Sequence, residues 1–403
     1  MTFYDQALHA LQALPSTPDT LAQAIDLHLA LDEALFPLGA FQRLCDTLRE
    51  AERLAEALGD HRRLGWVNEA LSVSFRRIGS YDQAMVCARR AVTLATGLGD
   101  AAMQVWAAFR LGQAAYFLGD YPGAMDAFQQ VIAAPPEPGE ASETPVLLPA
   151  HARSWLVYSL THRGAFDEGL VVGAEAVQLA ATGDFPTSQC AASVSLGGVY
   201  LARGVLRHAI PLLEQSLACC QRWHDLDWLP ECAASLGLAY ALAGRLAEAL
   251  PLLEQAVAQE TDMGGGHATI WLPALSQCYL LAGRLEEARA HAERALTLAR
   301  ERQERGFQAW ALRSLGDLAV PCTPLAVKQA EAYYRQALAL AEGLGMRPLV
   351  AHCHRGLGTL YAQTSQREQA RAELSMAIEM YQTMKMTFWL PHVEATLAQV
   401  EER

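Results

Sequence analysis

Glycine recurs along this chain at an interval of about 40 residues, and that interval limits the possible folds more than any other feature. The successive spacings are 40, 40, 45, 40, 40 and 39 residues. The glycines concerned are Gly39, Gly79, Gly119, Gly164, Gly204, Gly244 and Gly283. A fixed period of this length is typical of repeat architectures, in which each unit packs on its neighbours. Glycine also permits a sharp turn between helices, so we expect one antiparallel helix pair per period.

The stretch of residues 236–259, LGLAYALAGRLAEALPLLEQAVAQ, illustrates one unit. Its apolar residues follow helical spacing, which predicts a helix, a turn at Gly244 and a second, antiparallel helix. Small residues stand where the two helices must approach closely, at Gly237, Ala249 and Ala256. We count nine such pairs and a final helix from about residue 388. The pairs begin near residues 21, 61, 101, 148, 186, 226, 266, 306 and 347.

These residues resemble the tetratricopeptide repeat in its longer form of about 40 residues. The resemblance implies an all-α, right-handed superhelical solenoid of about nine tetratricopeptide-type helix pairs with a C-terminal capping helix. We expect a single tetratricopeptide repeat array over residues 1–403. An insertion loop at residues 133–147, rich in proline and glutamate, explains the one 45-residue interval, because its composition cannot bury a core.

Charge and composition restrict the partners and the compartment. The net charge is −13, which argues against nucleic acid or an anionic membrane surface as a partner. Nine cysteines without a Cys-x-x-Cys pair indicate free buried thiols in a reducing compartment. The first 20 residues lack the pattern of a signal peptide, and no stretch reaches 18 uninterrupted apolar residues. We therefore expect a cytoplasmic protein that binds neither nucleic acid nor membrane.

The sequence contains no motif for catalysis or cofactor binding. A phosphate-binding loop needs Gly-Lys-Ser/Thr, and neither Lys328 nor Lys385 follows a glycine. His352 and His354 stand two positions apart, so on a helix they point away from each other and cannot share one metal ion. The cysteines within residues 219–232 lack a metal-ligand spacing and are more simply buried thiols. We predict no enzyme activity, no cofactor and no metal.

The resemblance also implies where a partner would bind, because in this family the first helix of each pair lines a concave groove. The predicted groove positions hold aromatic, arginine and other polar side chains. They are Trp66, Glu69, Arg76, Arg77, Trp106, Phe109, Gln113, Tyr116, His151, Tyr158, His162, Trp310, Arg313, His352 and Arg355. We expect Trp66 and Trp106, one period apart, to lie side by side, with Arg76 and Arg77 exposed beside them. The alternative is that these tryptophans pack between adjacent helices.

We interpret the chain as a non-catalytic module that binds a protein or peptide segment, partly acidic, in its concave groove. The alternative is a ligand- or peptide-sensing regulatory arm of a bacterial signalling ATPase or nucleotide cyclase. Residues 345–361 and 386–391 support the alternative. They resemble the C-terminal repeat arm of bacterial proteins in which a cyclase or regulator domain precedes a STAND-type ATPase.

Overall fold

The computed structural model describes residues 2–12, 15–35, 39–134, 147–183, 185–262, 266–319 and 324–402. Within these residues the chain forms 20 α-helices and no β-strand. The helices are α1 Thr2–Gln12, α2 Pro18–Leu35, α3 Phe41–Leu58, α4 His61–Arg77, α5 Tyr81–Leu98, α6 Ala101–Leu118, α7 Tyr121–Ala133, α8 Leu148–Arg163, α9 Phe166–Ala180, α10 Pro186–Arg203, α11 Leu206–Trp223, α12 Leu229–Leu242, α13 Leu246–Asp262, α14 Ala268–Leu281, α15 Leu285–Glu301, α16 Arg305–Ala319, α17 Pro324–Leu344, α18 Arg347–Gln363, α19 Arg367–Thr383 and α20 Leu390–Glu402.

Helices α2 to α19 form nine pairs, and α20 follows the last of them. The all-α fold of paired helices is therefore confirmed, and each pair begins within three residues of its predicted start. Helix α1 was not predicted, because its sequence lacks the turn glycine and the small residues of the repeat. The predicted insertion loop falls mostly on residues 135–146, outside the described residues. None of the described helices combines the length and apolarity needed to cross a membrane.

The turns within the pairs depend on a left-handed backbone. All seven turn glycines adopt it, with φ between 67 and 84°. Ser365 adopts the same conformation in the ninth pair, with φ of 63°. His224, Gln303 and Lys385 adopt it at the ends of second helices. A side chain in this region costs about 1–2 kcal/mol, so packing around these four residues must offset the strain.

Close packing within each pair depends on a small residue in the first helix. A Cβ at Gly237 would overlap the Leu253 side chain, which fills the space that glycine leaves. In the second pair a serine replaces this glycine, and Ser72 Oγ donates to the Ala84 carbonyl at 2.9 Å. The equivalent bond from Ser276 is 2.7 Å long. Serine is tolerated here because its hydroxyl bonds to the partner helix that glycine would only touch.

Successive turns of the array contact each other. Tyr81 Oη donates to the carbonyl of Gly266, 185 residues further along the chain, at 2.6 Å. Lys385 Nζ lies 2.8 Å from Asp167 Oδ2, and the backbone at Gly204 abuts Phe388. Nine helix pairs thus wind far enough for late repeats to pack on early ones. The sequence analysis predicted a concave groove but not these contacts between turns.

Candidate binding cavity

A cavity of about 920 Å³ runs along the inner face of the superhelix. Side chains from the first helices of pairs two to nine line it, namely from α4, α6, α8, α10, α12, α14, α16 and α18. Trp389, just before α20, contributes as well. The first helices therefore form the inner wall, as the family resemblance implied.

Thirteen of the fifteen predicted groove residues line this cavity. They are Glu69, Arg76, Arg77, Trp106, Phe109, Gln113, Tyr116, His151, Tyr158, His162, Trp310, Arg313 and His352. Trp66 and Arg355 do not line it. The guanidinium of Arg355 instead lies over the ring of Trp389, 5.2 Å from its centroid.

The expected side-by-side pair of Trp66 and Trp106 is wrong. Among the described residues there is no ring contact between the two. Trp106 meets Phe109 edge to face, with centroids 6.3 Å apart, and the Arg110 guanidinium lies 5.1 Å from the Trp106 centroid. The Trp106 indole is therefore contacted by residues of its own repeat rather than by the equivalent residue of the neighbouring one.

A cluster of aromatic rings forms the middle of the cavity wall. Trp155 lies at its centre, with its ring centroid 5.4 Å from Tyr116, 5.8 Å from Tyr158 and 6.4 Å from Trp228. Interplanar angles of 64–82° make these contacts edge to face, the arrangement that aromatic quadrupoles favour. The sequence prediction missed Trp155 and Trp228, since neither stands at a groove position of the repeat.

Arg76 and Arg77, at the end of α4, are buried rather than exposed as predicted. Their exposed fractions are 6% and 1%, because the next superhelical turn covers them with the imidazole of His267. The His267 ring in turn stacks on Phe117, with centroids 4.9 Å apart. Burial lowers the pKa of Arg76 to about 10, and the charge of Arg77 adds to this effect. Arg76 therefore stays charged at neutral pH.

The His267 imidazole cannot accept hydrogen bonds from both arginines, and the nearby Glu260 carboxylate accepts from the His267 backbone N–H at 2.8 Å. Arg76 Nη1 lies 2.8 Å from His267 Nε2, and Arg77 Nη1 lies 3.2 Å from His267 Nδ1. Burial lowers the pKa of His267 well below its usual value, with the nearby arginines contributing, so the ring is neutral. A neutral imidazole has a single acceptor nitrogen. One of the two guanidinium groups therefore faces an N–H.

Other guanidinium nitrogens of the same two arginines lack acceptors. Arg76 Nε, Arg77 Nε and Arg77 Nη2 are buried without a hydrogen-bond partner among the described residues. Arg77 Nη1 lies 3.1 Å from Asp227 Oδ1, within ion-pair distance although outside good hydrogen-bond geometry. An anionic group entering the cavity would supply the missing acceptors.

Glu231, in the first turn of α12, also lines the cavity and was missed by the sequence prediction. Burial raises the pKa of its carboxyl to about 8, the Glu260 carboxylate adds to the rise, and the Tyr158 hydroxyl opposes it. The repeat register could have found it: Glu231 precedes Leu236 by five residues, as Trp106 precedes Leu111. The sequence prediction kept only tryptophan and histidine at this register position.

Models of the tetratricopeptide repeat match residues 106–136, 188–259 and 240–313. The chain is a tetratricopeptide repeat protein. No curated protein matches it in sequence.

Several solved structures share the fold of this tetratricopeptide repeat protein. The Rap conjugation gene regulator of the plasmid pLS20, solved with the Phr* peptide, is 14% identical, with a TM-score of 0.58 over 91% of this chain and 97% of that chain. A Rap protein complexed with competence and sporulation factor is 11% identical, with a TM-score of 0.62 over 90% and 99%. A STAND protein with a tetratricopeptide repeat sensor from Pyrococcus horikoshii is 12% identical, with a TM-score of 0.49 over 94% of this chain and 55% of that chain.

The predicted groove histidines have structural partners in this tetratricopeptide repeat protein. His162 Nε2 lies 3.0 Å from Tyr116 Oη, and His352 Nδ1 lies 2.7 Å from Tyr381 Oη. His151 Nδ1 lies 3.2 Å from Ser188 Oγ. Burial lowers the pKa of both His151 and His162 to about 4, so these rings are neutral hydrogen-bonding groups at neutral pH.

Titratable groups do not assemble into a metal site in the part of the chain that the structure describes: no three His, Cys, Asp or Glu side chains come together there as ligands. The thiols of Cys220 and Cys232 lie 3.5 Å apart in the core between α11 and α12. Both thiols are free and buried. The buried-thiol interpretation is therefore confirmed for this pair.

Proposed function

We propose that the protein binds a short peptide segment inside the cavity and catalyses no reaction. The observation that supports this most is the size and lining of the cavity. Its volume of about 920 Å³ is near the upper end of the range of about 300–1,000 Å³ for ligand pockets. A space of this size accepts a short peptide but not a folded domain. The fold shared with a Rap regulator solved with the Phr* peptide agrees with this proposal.

We infer that the peptide carries an acidic group, which would lie against Arg76 and Arg77. The guanidinium nitrogens without an acceptor around His267 support this, because a carboxylate has two oxygens and can accept from several guanidinium N–H groups. Such charge-assisted bonds are stronger in a buried site than at a surface. Their salt dependence should therefore be weak, unlike that of an exposed arginine pair.

The experiment is a selection from synthetic pentapeptides with free termini, followed by titration of tryptophan fluorescence with the selected peptides. Trp106→Ala removes an indole that lines the cavity, so we expect peptide affinity to fall about tenfold or more. Trp66→Ala is the matched control, since Trp66 holds the equivalent repeat position but lies outside the lining. It should leave affinity within about twofold of native, the effect of a residue without contact to the ligand.

Two results would contradict this proposal. Equal losses of affinity in the two tryptophan variants, with circular dichroism unchanged, would mean that the peptide does not occupy the cavity. Selection of no peptide at all would reject the ligand class. A variant that loses its helical signal would be replaced by Trp106→Phe, which keeps a ring in the wall.

A second candidate function is the sensing arm, and the position of His267 favours it. His267 contacts Arg76 and Arg77 from the next superhelical turn. A ligand that replaced this contact would alter how the two turns pack, and the array would respond as a whole. Small-angle scattering with and without the selected peptide distinguishes the two candidates. A changed radius of gyration supports the sensing arm, and an unchanged one supports simple binding.

A further inference from the structure

Glu231 is a carboxyl group inside the cavity without a basic partner. Among the residues that the structure describes, no lysine, arginine or histidine forms an ion pair with it. The titratable groups that act on it are Tyr158 and Tyr116, from α8 and α6, and Glu260 from α13. The Tyr158 hydroxyl is close to the carboxyl but makes no hydrogen bond of ordinary geometry. All of these neighbours are neutral or acidic groups.

Glu231 shares this part of the cavity wall with several aromatic rings. Trp228 stands three residues before Glu231, at the start of the same helix, and Trp155 packs against both Trp228 and Tyr158. The faces of indole and phenol rings attract cations through their quadrupoles. A carboxylate beside such rings adds a full negative charge and a hydrogen-bond acceptor. This combination favours an organic cation, whose carbon body contacts the rings while its charged end meets the carboxylate.

We propose that Glu231 and the adjacent rings of Trp155, Tyr158 and Trp228 form a binding site for an organic ammonium or guanidinium group. The proposal deepens the peptide function above and rests on it for the rest of the ligand. In a peptide, this cation would be the amino terminus or a basic side chain. An inorganic cation fits poorly, because Ca²⁺ and Mg²⁺ need about six oxygen ligands and one carboxyl among rings supplies two.

The ligand would carry opposite charges at its two binding points in the cavity. The Arg76 guanidinium lies 5.8 Å from the Trp155 ring centroid, and Tyr158, beside Glu231, packs against the same ring. An acidic group at Arg76 and a cationic group at Glu231 would therefore both lie close to the Trp155 ring. The sequence analysis proposed a partly acidic partner and no cationic group.

Cation binding should release a proton. In the empty cavity burial raises the pKa of Glu231 to about 8, so most molecules hold the proton at pH 7. A bound ammonium group stabilises the carboxylate form and returns its pKa toward the usual range. The proton then leaves to solvent while the ligand keeps its own. At pH 7 we expect close to one proton released per cation bound.

The test compares phenethylammonium with 2-phenylethanol, which has the same aromatic body and no charge. Tryptophan fluorescence of the full chain reports binding, since several tryptophans line the cavity. The native protein should bind phenethylammonium about tenfold or more tightly than 2-phenylethanol, a difference of about 1.4 kcal/mol. Glu231→Gln should reduce this preference to about twofold or less, while 2-phenylethanol binding is unchanged.

Glu304→Gln is the matched control. Glu304 is also a buried carboxyl whose pKa is raised by burial, but it lies outside the cavity lining and accepts a hydrogen bond from Thr269. Its variant should keep the native preference for the cation. Should Glu231→Gln fail to fold, calorimetry of the native protein in two buffers of different ionisation enthalpy still measures the released proton.

The outcomes separate the two proposals. Equal affinity for the two compounds, no binding of phenethylammonium, or no proton release would overturn the cation site. Binding of phenethylammonium with the expected dependence on Glu231, but of no peptide, would sustain the cation site and reject the peptide function. If the selected peptides bind the native protein and the Glu231→Gln variant equally well, the peptide function would be sustained and the cation site rejected.

Discussion

At the scale of single residues, Glu231 is the informative departure from the repeat. The same register position holds Trp106, Trp310 and His352 in other pairs, all large rings that line the cavity. Replacing a ring by a carboxyl at this depth is costly, because burial disfavours the charged form. A ring at this position would stabilise the fold at least as well as the carboxyl does. The cost is consistent with a role in binding.

The first prediction follows from the raised pKa of Glu231. Its folded pKa is about 8 and its ordinary value is 4.5, so the folded state binds this proton more tightly than the unfolded state. The contribution of Glu231 to the free energy of unfolding is therefore full below pH 4.5 and is lost as the pH rises from 4.5 to 8. Glu231→Gln removes that loss. Its melting temperature should exceed the native value by an amount that grows to several degrees by pH 8 and is then constant.

The difference between the two proteins reports Glu231 and its interaction with Glu260, because the other buried carboxyls, Glu304 and Asp225, are present in both. A difference in melting temperature that did not vary with pH would show that Glu231 is ionised in the folded state throughout. Thermal unfolding at pH 5, 6, 7, 8 and 9 is sufficient to decide.

At the scale of elements, the closest helix contact within a pair gives a prediction. Ala249 on α13 is fully buried against α12, opposite Gly237. Ala249→Arg would force a charge and excess volume into this contact, so we expect a loss of several kcal/mol in the free energy of unfolding. Ala247→Arg is the control, since Ala247 is exposed on the same helix. Urea denaturation measures both, and equal midpoints would refute the assigned register.

The helix pairs were predictable because their causes are local. Turn glycines such as Gly244, and small residues such as Gly237 and Ala249, lie close together in the chain and recur in most periods. The eighth pair lacks the turn glycine, but it was still predicted because the small and apolar residues of its second helix keep the repeat spacing. Helix α1 was missed because it belongs to no period. The side of each first helix that lines the cavity was predictable for the same reason, since register places a side chain on a helix face.

At the scale of the whole molecule, prediction from sequence ends where repeats that are distant in the chain meet. The burial of Arg76 and Arg77 depends on His267, about 190 residues away, in a connection between pairs that belongs to no repeat position. The contact of Gly204 with Phe388 likewise joins residues that are distant in the chain. Periodicity describes neighbouring units but not the rise of the superhelix per turn, and that rise decides whether the groove is open or enclosed.

The last prediction tests whether contact between superhelical turns encloses the cavity. Gly204 and Gly244 share a φ of 79°, so alanine at either costs about 1–2 kcal/mol of backbone strain. A Cβ at Gly204 would also collide with Phe388, whereas one at Gly244 would meet no atom within 4 Å. We expect Gly204→Ala to separate the turns, with a larger radius of gyration in small-angle scattering, a lower melting temperature than Gly244→Ala and weaker binding of phenethylammonium.

Identical scattering and identical melting temperatures in the two variants would mean that the turns do not touch in solution. In that case the inner face would be an open groove, and the buried state of Arg76 and Arg77 would have to come from their own repeat.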